Sequence, residues 1–276
     1  MVALLALVSS LMWGASDFLG GATSRRLPAL AVYGLSQVVG FVALVVVVIA
    51  VGAWDDDPAY WPYAVGASLL GLVSMVAFYR ALAIGPMGIV SPLVSLGVLV
   101  PIVVGMIGGE RPGSIEALGI ALALVGILLA SGPELSGAES ARPLLLATIA
   151  ALAFGGMFVF MAQGSAHSPL MTMTGMRITT VALMVLVWLR VRTLGGARRV
   201  DMPALVAIGL LDVAANVTYG YATTMGMLTT VAVLGNLYPV VTAVLAAVVL
   251  RERLRPIQYV GVCVAIAGVL SISAGM

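Results

Sequence analysis

Four formally charged residues interrupt otherwise apolar stretches of the sequence: Asp17, Arg80, Arg177 and Asp212. A charge at the centre of a bilayer costs about 2.5–3.5 kcal/mol on insertion scales, so each must face a cavity or a partner. The two acids and two bases sum to zero, which allows internal pairing. Arg80 lies close to the end of its stretch, where a long side chain reaches the interface by snorkelling.

Asp17 is the first candidate for a residue that binds a ligand or an ion. It follows Trp13 by four residues, so both side chains share one face of a helix. A carboxylate in that position could bind a proton, a coupling cation or the cationic group of a substrate. The alternative interpretation is an ion pair with Arg25, Arg26 or Arg80.

Asp212 is centrally placed in its stretch and is followed at helical spacing by Asn216 and Tyr219. Such a polar stripe favours a cavity, and the alternative is a structural pair with Arg177. Arg177 lies about a turn and a half into its own stretch. It could bind a carboxylate or a phosphate, or serve as the partner of Asp212.

A further candidate site lies where proline interrupts two apolar stretches. One carries Ser95 and Pro101, and the other carries Asn236, Tyr238 and Pro239. Proline frees a backbone carbonyl that must be satisfied internally and can line a cavity. The alternative is that the prolines only kink helices for packing and that the serine bonds to its own backbone.

The composition identifies the solvent of these stretches. The chain has 276 residues, of which 62% are hydrophobic and 9% charged, with a mean hydropathy of +1.18. Soluble domains carry about 25% charged residues, so we expect an integral membrane protein.

Cys263 and His167 are the only residues of their types, which excludes metal sites built from several cysteines or paired histidines. We expect no cofactor, and the net charge of +2 gives no reason to expect nucleic acid as a partner.

Charged residues, prolines and glycines divide the chain into ten apolar spans, each about long enough to cross a bilayer. The first lacks a positively charged leader, so we interpret it as a helix and not as a signal peptide. The predicted spans are 3–21, 28–51, 61–84, 87–108, 113–131, 143–164, 169–190, 203–225, 227–250 and 256–274. The turns at Gly85-Pro86 and Gly226 decide whether neighbouring spans are separate.

The second half of the chain repeats the first in the same order and at a nearly constant offset. The matches include Trp13-Gly14 with Phe154-Gly155, Leu69-Leu70 with Leu210-Leu211, Gly85 with Gly226, Ser95 with Asn236, Glu110 with Glu252, Gly119 with Gly261, and Gly126 with Gly268. Five helices in each half mean that the halves, 1–135 and 143–276, enter the membrane in opposite directions. The predicted fold is therefore an all-α integral membrane protein with ten transmembrane helices as two inverted five-helix repeats. Inverted repeats are typical of transporters with a substrate site near the midplane.

Each half has an early Trp-Gly or Phe-Gly, a fourth helix that ends in glutamate, and a fifth helix with Gly-x6-Gly. The motifs are Trp13-Gly14-Ala15-Ser16-Asp17-Phe18, Glu110-Arg111-Pro112 and Glu252-Arg253-Leu254-Arg255-Pro256. The pattern resembles the EamA-type repeat of the drug/metabolite transporter superfamily, twice over the whole chain. The resemblance implies a ten-helix basket, a central cavity open to one side at a time, and an arginine near Arg177. It leaves the substrate open among amino acids, sugars, nucleotide derivatives, amines and drugs.

Ser36 and Gln37 depart from the family pattern, which leads us to expect an arginine in the second helix. The sequence also leaves open which side of the membrane the two termini face. Apart from Arg111, the arginines between spans follow odd-numbered spans, which places both termini outside by the positive-inside rule, whereas the resemblance implies cytoplasmic termini.

We therefore predict a secondary transporter of a small metabolite or drug-like molecule in the cell (inner or plasma) membrane. No Walker motif is present to couple ATP hydrolysis. Export driven by protons that titrate Asp17 or Asp212 is the leading form, beside facilitation or exchange. The expected partners are a small-molecule substrate, the lipid bilayer and protons. The alternatives are an intramembrane lipid-modifying enzyme, whose usual motifs the sequence lacks, and a membrane subunit that does not transport.

Overall fold

The computed structural model describes residues 1–53, 58–84, 90, 93–130, 141–191, 196–249 and 255–275. Every regular element within these ranges is helical. The helices are α1 (Val2–Ser24), α2 (Ala29–Val51), α3 (Trp61–Ile84), α4 (Leu93–Ile107), α5 (Ser114–Ala130), α6 (Ala141–Ser165), α7 (Pro169–Val191), α8 (Met202–Met225), α9 (Leu228–Val249) and α10 (Pro256–Gly275).

Their surfaces explain why they assemble as a membrane bundle. Large aliphatic side chains such as Leu11, Val46 and Leu186 are exposed, because the helices are apolar on nearly every side. In the described part of the chain, eight helices are long and apolar enough to cross a membrane, and α4 and α5 are shorter apolar helices. The protein is thus an all-helical, multi-pass membrane protein, and the described helix ends lie within a few residues of the predicted spans.

Two interruptions shape the centre of the bundle. Gly226 is extended between α8 and α9, as the sequence predicts for the turn there. The matching turn at Gly85-Pro86 lies outside the described residues. Within α9 the helix breaks at Asn236 and Leu237, so that it consists of Leu228–Gly235 and Tyr238–Val249. Pro239, which lacks an N–H group to donate back into the first part, follows that break.

Helices α5 and α10 pack along their lengths through glycines that let the two backbones touch. Each contact has a counterpart between the matching positions of the two repeats. The counterparts are Gly126 on Ala265 with Gly268 on Ala123, and Gly119 on Ile272 with Gly261 on Ala130. A contact that recurs with the two partners exchanged is the product of an approximate two-fold axis between the helices.

The same exchange occurs at the centre of the bundle. Gly14 of α1 packs on the carbonyl oxygen of Tyr238 in α9, and Gly155 of α6 packs on that of Gly97 in α4. In the register of the repeat, Gly155 is the counterpart of Gly14 and Gly97 is the counterpart of Tyr238. The halves therefore interlock, since the first helix of each lies against the fourth helix of the other.

The bundle has two distinct ends. Val2, Glu116, Gly226 and Gly275 line one cleft of about 310 Å³, which brings both ends of the chain together with the turn between α8 and α9. We call this the terminal end. The opposite end holds the connection between α1 and α2, where Arg26 forms an ion pair of 3.7 Å with Asp201 at the start of α8. We call it the arginine end.

Candidate functional site

The inward face of α1 changes from buried to exposed along its length. Leu4 and Leu11 face outward and are exposed, whereas Ala6 and Trp13 are buried on the opposite face. Asp17 follows Trp13 by one turn on that same inward face, yet it is exposed. A carboxylate that faces into a bundle and is still accessible must border a recess within it.

The recess opens towards the arginine end. A Cβ atom added at Gly21, one turn beyond Asp17, would meet no atom within 4 Å. At Gly14, on the terminal side, an added Cβ would lie 2.8 Å from the carbonyl oxygen of Tyr238. The α1 surface next to Asp17 is therefore open on the arginine side and closely packed on the terminal side.

Three helices contribute charged or aromatic groups to this recess. Asp212 of α8 lies one turn beyond Ile208, whose carbonyl accepts from the Ser16 hydroxyl at 3.1 Å, and the ring of Tyr238 in α9 lies 6.4 Å from that of Trp13. Asp212 and Tyr238 are both partly exposed. Together with Asp17 and Trp13, these two residues define what we call the central recess.

The Asp17 carboxylate makes no hydrogen bond or ion pair within the ranges that the structure describes. The sequence left open a pairing with a nearby arginine. Arg26 pairs with Asp201 instead, and Arg80 is exposed near the end of α3, where the sequence predicts that it snorkels.

Asp212 forms an ion pair with Arg177, which is 8% exposed. Gln37 Nε2 donates to the same carboxylate oxygen at 3.4 Å, and Asn216 Nδ2 donates to the other at 3.2 Å. The structural pair considered for these residues is therefore present. The pair balances the charge of Arg177 through its Nη2 group, and the role of Arg177 as a ligand-binding residue stays a prediction.

Aromatic rings close the recess on its terminal side. The Trp13 ring centroid lies 5.5 Å from those of Phe158 and Tyr219 and 6.4 Å from that of Tyr238. Phe158 and Tyr219 are 5.2 Å apart. The Tyr219 hydroxyl is buried and has no hydrogen-bond partner among the described residues. We call these four residues the aromatic layer.

Ser95 and Asn236, the matched positions of the two repeats, are in contact. Asn236 Nδ2 donates to the backbone carbonyl of Ser95 at 3.1 Å, and both residues are buried. The bond ties α4 to α9 beside the break in α9. It lies next to the recess and does not leave the asparagine amide free in it.

Glu110 closes the terminal end. Its carboxylate accepts from the backbone N–H groups of Leu228 at 2.5 Å and Thr229 at 2.8 Å, and from the Thr229 hydroxyl. An acid at a helix N-terminus satisfies free N–H groups and complements the helix dipole. Glu116 accepts from the hydroxyl of Thr230 in the same turn. We call these contacts the glutamate clamp; the repeat partner Glu252 lies outside the described residues.

A family model for the EamA-like transporter family matches residues 1–132 and again 141–274. The chain belongs to the EamA-like transporter family. A solved structure titled "Crystal structure of protein" is similar in fold, with a TM-score of 0.82 and 17% sequence identity over 99% of this chain and 96% of that one. No curated protein matches. The chain is thus a multi-pass membrane transporter of the drug/metabolite type, which implies a small-molecule substrate and a lipid environment.

In this EamA-like transporter, sequence reasoning missed three residues of the site. Gln37 stands out in the sequence only as a departure from the family pattern, and Glu110 only as a family landmark. Phe158 was not predicted, although it follows Phe154 as Asp17 follows Trp13 and is therefore the repeat counterpart of Asp17. The described residues contain no group of three or more His, Cys, Asp or Glu side chains placed to hold a metal ion.

Proposed function

We propose that this protein is a secondary transporter that moves a small metabolite or drug-like molecule by alternating access. The proposal includes ten membrane crossings arranged as two inverted five-helix repeats, residues 1–135 and 143–276. The observation that carries it is the central recess. It is open at the arginine end and closed at the terminal end, as one state of an alternating-access cycle requires.

Two layers would have to separate for the recess to open at the terminal end. One is the aromatic layer, and the other is the glutamate clamp, which joins Glu110 after α4 and Glu116 in α5 to the first turn of α9. Both layers join helices from different halves of the chain. A rocking motion of one half against the other would release both, which is why interlocked inverted repeats support this mechanism.

We extend the proposal to export across the cell membrane driven by protons. The sequence lacks a Walker motif for ATP hydrolysis, and Asp17 is a titratable carboxylate with access to solvent. The groups that face it are Asp212, held by Arg177, and the hydroxyl of Tyr238. A proton that enters the recess would therefore meet Asp17 as its free acceptor.

Counterflow into proteoliposomes tests the proposed function. Vesicles preloaded with an unlabelled amino acid, amine, nucleoside or sugar should accumulate the labelled compound of at least one class. An imposed proton gradient should drive that compound towards the acidic compartment, in exchange for protons that move towards the alkaline one. Empty liposomes are the control. Accumulation of no class would contradict transport and favour a subunit that does not transport.

A further inference from the structure

We infer that the molecule bound in the central recess is an organic cation, whose charged group pairs with Asp17 and whose apolar body lies against Trp13 and Tyr238. The inference rests on the proposed function, because it names the substrate class of the same recess. It is carried by charge, access and ring geometry together.

The charges of the recess do not balance. Asp17 and Asp212 are both acids, and Arg177 is the one base shown paired with either of them in the described part of the chain. The charge of Arg177 is balanced by that of Asp212, so one negative charge is left, on Asp17. A carboxylate within a bundle needs a partner of opposite charge. A cationic ligand supplies that partner, whereas an anionic ligand would be repelled by Asp17.

The surroundings of Asp17 are suited to a cation with an apolar body. Trp13 lies one helical turn away on the same face, and Tyr238 borders the recess from α9 with its ring 6.4 Å from that of Trp13. Aromatic faces attract cations within about 6 Å, and the attraction grows when water is excluded. The Nδ2 group of Asn216 donates to Asp212 and that of Asn236 donates to the Ser95 carbonyl, so both amide groups already donate within the bundle.

Equilibrium binding to the purified full-length protein in detergent tests the inference. The probes are tetraphenylphosphonium and tetraphenylborate, which share one shape and carry opposite charges, with benzyltrimethylammonium as a smaller cation. The variants are Asp17→Asn, which removes the charge at nearly constant volume, and Asp17→Glu, which retains it. Circular dichroism confirms that each variant is folded.

We expect wild type to bind at least one of the two cations. Asp17→Asn should lower that affinity by about tenfold or more, or about 1.4 kcal/mol, while Asp17→Glu should retain most of it. Tetraphenylborate should show no difference between wild type and Asp17→Asn. Failure of both cations to bind, or equal cation binding by wild type and Asp17→Asn, would overturn the inference.

The counterflow experiment separates this inference from the proposed function. Transport of neutral or anionic compounds without any cation binding would refute the cation site and leave the transporter standing. Binding of a cation that depends on Asp17, with no compound transported, would retain the site and refute the transport proposal.

Discussion

At the scale of single residues, the two inward-facing acids differ in how they are compensated. Asp212 shares its carboxylate among Arg177, Gln37 and Asn216, and all four side chains hold one another in place. Asp17 is accessible and has no such partner among the described residues. The same residue type is therefore paired in α8 and unpaired in α1 among the described residues.

The Arg177–Asp212 pair is expected to stabilise the fold, because loss of one member leaves a charge of the other uncompensated. We expect Arg177→Gln or Asp212→Asn alone to lower the free energy of unfolding by about 3 kcal/mol. This is the lower end of the range for a buried pair, because Asp212 is partly exposed. The double substitution should cost less than the sum of the two. Unfolding by denaturant of the purified variants measures this. Additive losses would show that the two side chains do not act as a pair.

Much of this residue-scale description follows from the sequence. Helical spacing predicts the shared face of Trp13 and Asp17, and the Arg177–Asp212 pair is one of two alternatives that charge balance leaves open. Gln37 and Phe158 could not be assigned in the same way. Their contacts depend on how α2 and α6 are rotated against their neighbours, and rotation is set by packing and not by local spacing.

At the scale of helices, small residues set the distance between backbones, and the glutamate clamp sets the position of α9. The sequence predicts the spans and the small-residue faces of α5 and α10, because hydropathy and glycine spacing are local signals. The clamp requires the end of α4 to meet the start of α9, although Glu110 and Leu228 are far apart in the chain. No local pattern encodes that approach.

Gly126 is expected to be intolerant of a side chain. A Cβ atom there would overlap the backbone of Ala265 in α10 more closely than real Cβ contacts allow. Gly126→Ala should therefore destabilise the protein by about 1–3 kcal/mol. Gly20→Ala is the matched control, since a Cβ there meets nothing within 4 Å and alanine favours a helix. Thermal unfolding in detergent compares them, and equal midpoints would contradict the tight α5–α10 packing.

At the scale of the whole molecule, the approximate two-fold axis relates the backbones but not the chemistry. The counterpart of Asp17 is Phe158, and the register that matches Leu69-Leu70 with Leu210-Leu211 makes Gly71 the counterpart of Asp212. The scaffold is thus symmetric, which suits two halves that rock against each other, while the charges lie on one side of the axis. Duplication alone predicts the scaffold, and we propose that the asymmetric residues supply the binding groups.

The central claim is that one end of the bundle closes as the other opens, and thiol labelling of two positions tests it most directly. The reporters are Ala6→Cys, buried on the terminal side of Trp13, and Gly21→Cys, exposed at the mouth of the recess, each made in a Cys263→Ser background. A membrane-impermeant maleimide is applied to vesicles of both orientations. Each reporter is combined with Glu110→Gln, which weakens the charge-assisted bonds of the clamp. The control is Arg111→Gln. It removes a neighbouring side chain that donates hydrogen bonds to the carbonyls of Met106 and Glu110.

When Glu110 is unchanged, Gly21→Cys should be labelled rapidly and Ala6→Cys should be protected. Glu110→Gln should raise the labelling rate of Ala6→Cys and lower that of Gly21→Cys, whereas Arg111→Gln should change neither. Two results would contradict alternating access through this recess. One is that Glu110→Gln raises the labelling rates of both positions together, and the other is that it changes neither rate.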